Sequence, residues 1–151
     1  MGMIVSSTYS PKSFLVDLKD IHCVIHFIML KKETHKRQLS KTMTYLKRLG
    51  YFSERNLEDT REYIDKIYKD CSGNPGFTFE IDATDIIIAL RTDMLTTKPY
   101  FISIAAHEIS HAITILFNNL GVGENDEMRA IYMGNITEDF LLRSRVLESD
   151  L

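Results

Sequence analysis

The sequence predicts one α+β domain that spans residues 1–151. Three observations indicate this fold class. β-branched and aromatic residues dominate an early segment, two short apolar runs flank a polar turn in the middle, and the other segments carry apolar residues at helical spacing. Strands and helices grouped in this way along a chain are typical of an α+β domain.

The first half of the chain predicts a strand region followed by two helices. Residues 13–30 mix β-branched and aromatic side chains and indicate one or two strands. A first helix is predicted over about residues 33–49, with Gly50 placed to end it and with these apolar residues at helical spacing: Leu39, Met43, Leu46 and Leu49. A second helix is predicted over about residues 56–68, with these residues facing inward: Leu57, Tyr63, Ile64 and Ile67.

The middle of the chain predicts a β-hairpin. Residues 71–76, CSGNPG, break the helical pattern. Residues 77–81 then alternate between apolar and polar, whereas residues 86–90 form a continuous apolar run, and the sequence DATD lies between the two. We therefore expect the second strand of the hairpin to be more buried than the first.

The sequence after Pro99 predicts two helices, over about residues 100–120 and 125–146, with Gly121 and Gly123 between them. The first of these helices is apolar nearly all round, which is typical of a helix in a protein interior. We therefore expect its ionisable residues to be buried.

The composition limits the partners that we expect. A net charge of −3 and a pI of about 5.9 argue against a nucleic-acid-binding protein, which needs a basic face. The longest apolar run, residues 21–30, is half the length of a membrane span, so no membrane partner is expected. Cys23 and Cys71 lie far apart and form no CxxC pair, which fits a reduced, intracellular compartment.

His107, Glu108 and His111 form the motif that indicates chemistry. The two histidines project from one helix face, so a single ion can bind a nitrogen of each ring. Glu108 points about 100° away from His107 and can reach a water beside the ion. This is the HExxH arrangement, in which two histidines bind Zn²⁺ and the glutamate is the general base. The alternative is a pair of core histidines hydrogen-bonded to Thr114, Asn118 or the backbone.

A third protein ligand is needed, because catalytic zinc sites usually have three. The longer pattern HExxHxxGxxH would supply it as a third histidine, but Thr114 and Phe117 stand where Gly and His are required. The ligand is therefore expected from the last helix, which offers four acids: Glu124, Asp126, Glu127 and Glu138.

Glu127 is the favoured ligand among these acids. Small residues on its own face, Ala130 and Gly134, would let the last two helices approach each other closely. The loop between the helices must then descend in extended form, because His111 lies about 13 Å before the end of its helix. A tight helical hairpin would instead favour Glu138.

Three further positions have a functional and a structural interpretation. His22 and His26 share one face and have Cys23 beside them, so a second metal site is conceivable, although core or edge histidines are more common. Tyr132 could help to stabilise an oxyanion, although packing in the core is the more common role of such a residue.

The last third of the chain resembles a known family. Residues 104–112, IAAHEISHA, are followed by Gly121 and by residues 127–137, EMRAIYMGNIT. This order is similar to that of small zincin-like proteins encoded by tailed bacteriophages and prophages, and the similarity covers residues 86–140. Tyr132 keeps an aromatic that such proteins often carry, whereas Met128 and Arg129 replace smaller or acidic residues.

The resemblance implies a minimal zincin-like fold: a small sheet with N-terminal helices, an HExxH helix and a ligand-bearing helix after it. It also implies a zinc-dependent metallopeptidase with His107, His111 and Glu127 as metal ligands and Glu108 as the catalytic base. Its partners would be a protein or peptide substrate and phage virion proteins, in a bacterial cytoplasm or a virion. The alternative is a non-catalytic structural or assembly protein of a phage, with a structural or vestigial metal site.

Overall fold

The computed structural model describes residues 9, 11–31, 35–48, 50, 54–70, 74–123 and 125–151. Its strands and helices follow the predicted order. They are β1 (Phe14–Leu18), β2 (Cys23–Leu30), α1 (His35–Arg48), α2 (Glu54–Asp70), β3 (Gly76–Glu80), β4 (Asp85–Arg91), α3 (Lys98–Leu120) and α4 (Asp126–Ser144). Short 3₁₀ helices cover Lys19–Ile21 and Val146–Glu148. The α+β class is therefore confirmed.

The four strands form one mixed sheet in the order β1-β2-β4-β3. β2 and β4 pair in parallel at the centre, while β1 and β3 are antiparallel edge strands. Every residue of β2 and β4 is buried, as expected for central strands that are covered on both faces. The predicted hairpin is confirmed, and its second strand is the more buried of the two.

Helices cover both faces of the sheet. α3 and α4 pack on one face over a core that includes Ile25, Phe27 and Ile88, and α1 and α2 pack on the other over Ile28, Ile87 and Ala89. These two sets alternate along β2 and β4, because successive side chains of a strand point to opposite faces.

The inward residues of α1 and α2 agree in part with the prediction. Leu39, Met43 and Leu46 are buried, and so is Ile64. Leu49 and the side chains of Leu57 and Ile67, like Cys71, lie outside the described residues. The prediction for Tyr63 is wrong: this side chain is 52% exposed and makes a T-shaped contact with Phe79, with ring centroids 5.5 Å apart.

α3 has one face on the sheet and one in solvent. Thr97 caps its first turn by accepting a hydrogen bond from the backbone N–H of Tyr100, and Gly121 ends the helix at a positive φ of 67°. Ala105, Ile109 and Leu116 are buried against the core, while His107 and His111 are exposed on the opposite side. The expectation that both histidines are buried is therefore wrong. The nearly continuous apolar sequence misled it, because several apolar residues of α3 are only partly covered (Ile102, Ile104 and Ile115).

α3 is also long and apolar enough to cross a membrane by length and composition, the only described helix that is. Core helices meet the same criteria, and the sheet-facing side of α3 is buried. The sequence-based expectation of no membrane partner stays a prediction.

Candidate metal centre

The two histidines of the motif face each other on the exposed side of α3. His107 and His111 are one turn apart, and their Nε2 atoms lie 3.1 Å from each other. The ring centroids are 4.7 Å apart, and the ring planes are nearly perpendicular, at 81°. Two nitrogens that bind one tetrahedral ion at about 2.0–2.1 Å stand about 3.3 Å apart, so the observed spacing fits a shared ion closely.

Glu108 lies beside this pair on the side toward β3. Potential ligand atoms of His107, Glu108 and His111 all lie within 4.8 Å of one another. Unlike the histidines, Glu108 is only 5% exposed. The Thr78 hydroxyl, on β3, lies 3.1 Å from the Glu108 Oε1 atom and 3.1 Å from its backbone oxygen. Thr78 therefore holds the carboxylate next to the imidazole pair.

Gly76 allows this close contact between β3 and α3. A Cβ atom at this position would lie 2.8 Å from the Ile104 Cγ2 atom and 3.2 Å from the Glu108 Cγ atom. Real Cβ atoms essentially never approach other atoms to 2.8 Å, so a larger residue would push α3 away from β3. The glycine thus sets the depth at which Glu108 sits.

Arg129, on α4, lies on the other side of the imidazole pair. Its Nη2 atom donates to the backbone oxygen of Ser110 at 3.0 Å and to its hydroxyl at 2.6 Å. Its Nη1 atom donates to the Thr114 hydroxyl at 2.9 Å. The exposed face of α3 therefore has a carboxylate on one side and a guanidinium on the other.

The predicted third ligand is not among the residues that the structure brings together. Glu127 does not belong to the donor group of His107, Glu108 and His111. Its side of α4 faces solvent: Ala130 and Gly134 are exposed, and a Cβ added at Gly134 meets nothing within 4 Å. The close helix approach expected through these small residues is therefore wrong.

The register of α4 explains this outcome. Arg129 is turned toward α3, and a residue two positions earlier points about 200° away around a helix. Glu138 is also exposed and lines a cavity with β1 residues and Tyr132, rather than joining the donor group. Asp126 is exposed, and Glu124 lies outside the described residues.

The second conceivable metal site is not formed within the described part of the chain, because His22, Cys23 and His26 do not make a donor group there. His26 is 2% exposed, and its Nε2 atom lies 3.1 Å from the Asp85 Oδ1 atom. Tyr132 packs edge-on against Phe117, with ring centroids 5.8 Å apart. This supports packing for Tyr132 rather than contact with the imidazole pair.

Comparison of the chain with protein-family models, with curated proteins and with solved structures found no match. The resemblance to zincin-like phage proteins therefore rests on the motif residues themselves.

Thr78 and Arg129 are the site residues that the sequence did not identify. The alternation of β3 places Thr78 on the same face as Gly76, but it does not say which helix covers that face. Arg129 carried a signal, since it stands where the zincin-like proteins that this segment resembles have a smaller or acidic residue. Its contact with α3 depends on the helix pairing, which sequence periodicity does not define.

Proposed function

We propose that this protein is a zinc-dependent hydrolase of peptide bonds, with His107 and His111 as metal ligands and Glu108 as the general base. The observation that carries the proposal is the 3.1 Å spacing of the two Nε2 atoms, on an exposed helix face with a buried carboxylate beside them. The peptide bond as substrate, and a bacterial cytoplasm or virion as location, follow from the resemblance to phage zincin-like proteins.

The donor set has the chemistry that zinc requires. Zinc binds neutral imidazole nitrogens, and two exposed imidazoles can take it up without unfolding of the chain. When bound, zinc lowers the pKa of a coordinated water to about 7 and polarises a substrate carbonyl.

The residues around the histidines prepare proton transfer. Glu108 accepts the proton of the attacking water and can return it to the leaving amine. Thr78 restricts the rotation of the Glu108 carboxylate through its 3.1 Å contact with Oε1. Because the imidazoles are exposed, a peptide can approach them from solvent.

The third metal ligand comes from α4 in this proposal. Glu127 stays the predicted ligand, although α4 would have to turn by about half a rotation to bring it toward α3. This mismatch favours a second candidate function, a non-catalytic phage structural or assembly protein, because a catalytic zinc site usually has three protein ligands.

The deciding experiment compares zinc-loaded wild type and Glu108→Gln on a digest of bacterial proteins, with new peptide termini detected by mass spectrometry. We expect the substitution to lower the cleavage rate by about 100-fold or more, the usual contribution of a general base. The matched control is Glu62→Gln, an exposed residue of α2, which should cleave as the wild type does.

Zinc affinity measured on further variants identifies the ligands, and cleavage by the zinc-bound protein separates the two candidates. His107→Asn should weaken zinc binding at least tenfold, whereas His22→Asn should not, and Glu127→Gln shows whether that carboxylate is a ligand. If the wild type binds zinc but cleaves no better than Glu108→Gln, the hydrolase proposal is wrong and the non-catalytic candidate stands.

A further inference from the structure

We infer that Arg129 makes the site selective for peptides that carry a carboxylate next to the scissile bond. This inference rests on the proposed function and names the substrate class of the same site. Three observations support it: where the guanidinium lies, which hydrogen bonds hold it, and that its charge is not paired with a described carboxylate.

The first step concerns position. Ser110 follows His107 by three residues, and Thr114 follows His111 by three. Residues three apart are neighbours on a helix surface, with about 5–6 Å between their Cβ atoms. Because Arg129 donates to both Ser110 and Thr114, its guanidinium runs alongside the imidazole pair. A separation of about 5–6 Å corresponds to about two residues of an extended peptide, at about 3.3 Å per residue. A carboxylate within two residues of the scissile bond can therefore reach the guanidinium.

The second step concerns fixation. Ser110 and Thr114 hold the guanidinium through three hydrogen bonds, and Thr114 itself donates to the Ser110 backbone oxygen at 3.1 Å. A guanidinium that is held in advance loses little side-chain freedom when it binds a planar carboxylate. Among the described residues, three of its five N–H groups have an acceptor. Two N–H groups therefore remain for a ligand.

The third step concerns charge. All three acceptors are neutral, and no described carboxylate forms an ion pair with Arg129. The side chain is only partly buried, so a ligand can reach it. It lines a cavity of about 350 Å³, which also contains Asp126 but has no ion pair across it. The other lining residues are Thr114, Phe117, Asn118, Gly123 and Asn125. The cavity therefore offers a fixed cation and room for a terminal residue.

The carboxylate can come from two sources, a free C-terminus or an acidic side chain. Three probes separate them: N-acetyl-trialanine with a free C-terminal carboxylate, its C-terminal amide, and the amide with glutamate as the last residue. Their affinities are measured by NMR titration of the zinc-loaded Glu108→Gln protein, so that binding is read without hydrolysis.

We expect one of the charged probes to bind about tenfold to a hundredfold more tightly than the neutral amide, the range of a charge-assisted hydrogen bond. Adding Arg129→Met should abolish this preference. The matched control is Arg143→Met, which removes an arginine of the same helix that pairs with Asp139 and not with α3.

Arg129→Lys is a second variant, which tests the inference even if Arg129→Met does not fold. Lysine keeps the charge but lacks the planar fork, so the preference should fall severalfold without vanishing. Equal affinities for the three probes, or a preference that survives at its full value in the Arg129 variants, would overturn the inference. Cleavage assays are read separately, so a catalytic but indiscriminate protein disproves this inference alone.

Discussion

At the scale of single residues, the most buried ionisable pair among the described residues lies in the sheet and not at the candidate metal centre. His26 on β2 and Asp85 on β4 are both buried, 3.1 Å apart. Burial raises the pKa of Asp85, but hydrogen bonds with His26, Thr84 and Asp82 outweigh it and hold the pKa below its usual range. The Asp82 carboxylate in turn accepts from the backbone N–H groups of Thr84 and Asp85 and so shapes the hairpin turn.

The Asp85 carboxylate should make stability depend on acid pH. Because its pKa is lower in the folded than in the unfolded chain, its contribution is fully present above about pH 4 and is lost as the pH falls through the folded pKa. We expect the free energy of unfolding of the wild type to fall more between pH 7 and pH 3 than that of Asp85→Asn. Urea denaturation at both pH values measures this difference.

Asp59→Asn serves as the control, because Asp59 is exposed on α2. Its pH dependence should parallel that of the wild type. Parallel curves for Asp85→Asn as well would show that the pair contributes nothing to acid sensitivity.

The residue-level part of the site could be predicted only where its members are close in sequence. His107, Glu108 and His111 lie within five positions of one helix, so helical periodicity alone brings them together. Arg129 and Thr78 reach the site from other elements, and their approach depends on the pairing of helices and strands. Glu127 does not join the donor group for the same reason, because its position depends on how α4 pairs with α3.

At the scale of elements, the contact between β3 and α3 controls the geometry around Glu108. Gly76 is the point of closest approach, and the exposed Gly134 in α4 is its opposite, with open space around it. The same substitution should therefore have opposite effects at the two positions.

Gly76→Ala should destabilise the protein by about 1–3 kcal/mol, the usual cost of overpacking. Gly134→Ala should stabilise it by about 0.5–1 kcal/mol, because alanine is the better helix former. Thermal and urea denaturation of both variants measures these changes. A Gly76→Ala variant as stable as the wild type would mean that α3 can move away from β3 without cost.

The order of the strands and helices could be predicted from the sequence, but which side of each helix is buried was harder to predict. The four helices and the two hairpin strands lie within a few residues of their predicted bounds, and β1 and β2 lie within the predicted strand region, because turn residues and apolar spacing are local signals. The expectation of a helix that is apolar all round was wrong for α3, because polar residues recur at helical spacing along its exposed side (Ser103, His107, His111, Thr114 and Asn118). Which side of α4 contacts α3 was missed because its apolar residues do not define a narrow stripe.

At the scale of the whole molecule, the candidate metal centre is not part of either hydrophobic core. Both cores are apolar and lie on the two faces of the sheet, whereas His107 and His111 are in solvent. Removing a metal from such a position breaks no core contact.

EDTA should therefore leave the protein folded. We expect the far-UV circular dichroism spectrum to persist and Tm to fall by less than about 10 °C, as for loss of a ligand present at about a hundred times its Kd. His107→Asn should show no such shift. Unfolding of the wild type by EDTA would instead indicate a structural metal.

The parallel pairing of β2 with β4 has a consequence for synthesis on the ribosome. His26 and Asp85 are 59 positions apart, and translation of this stretch takes roughly 3–12 s at about 5–20 residues per second. During that interval β2 can pair with β1 on one edge while its other edge stays open. The nascent chain thus exposes one edge of an apolar strand until β4 has left the exit tunnel, and we expect this to be the period in which aggregation threatens it most.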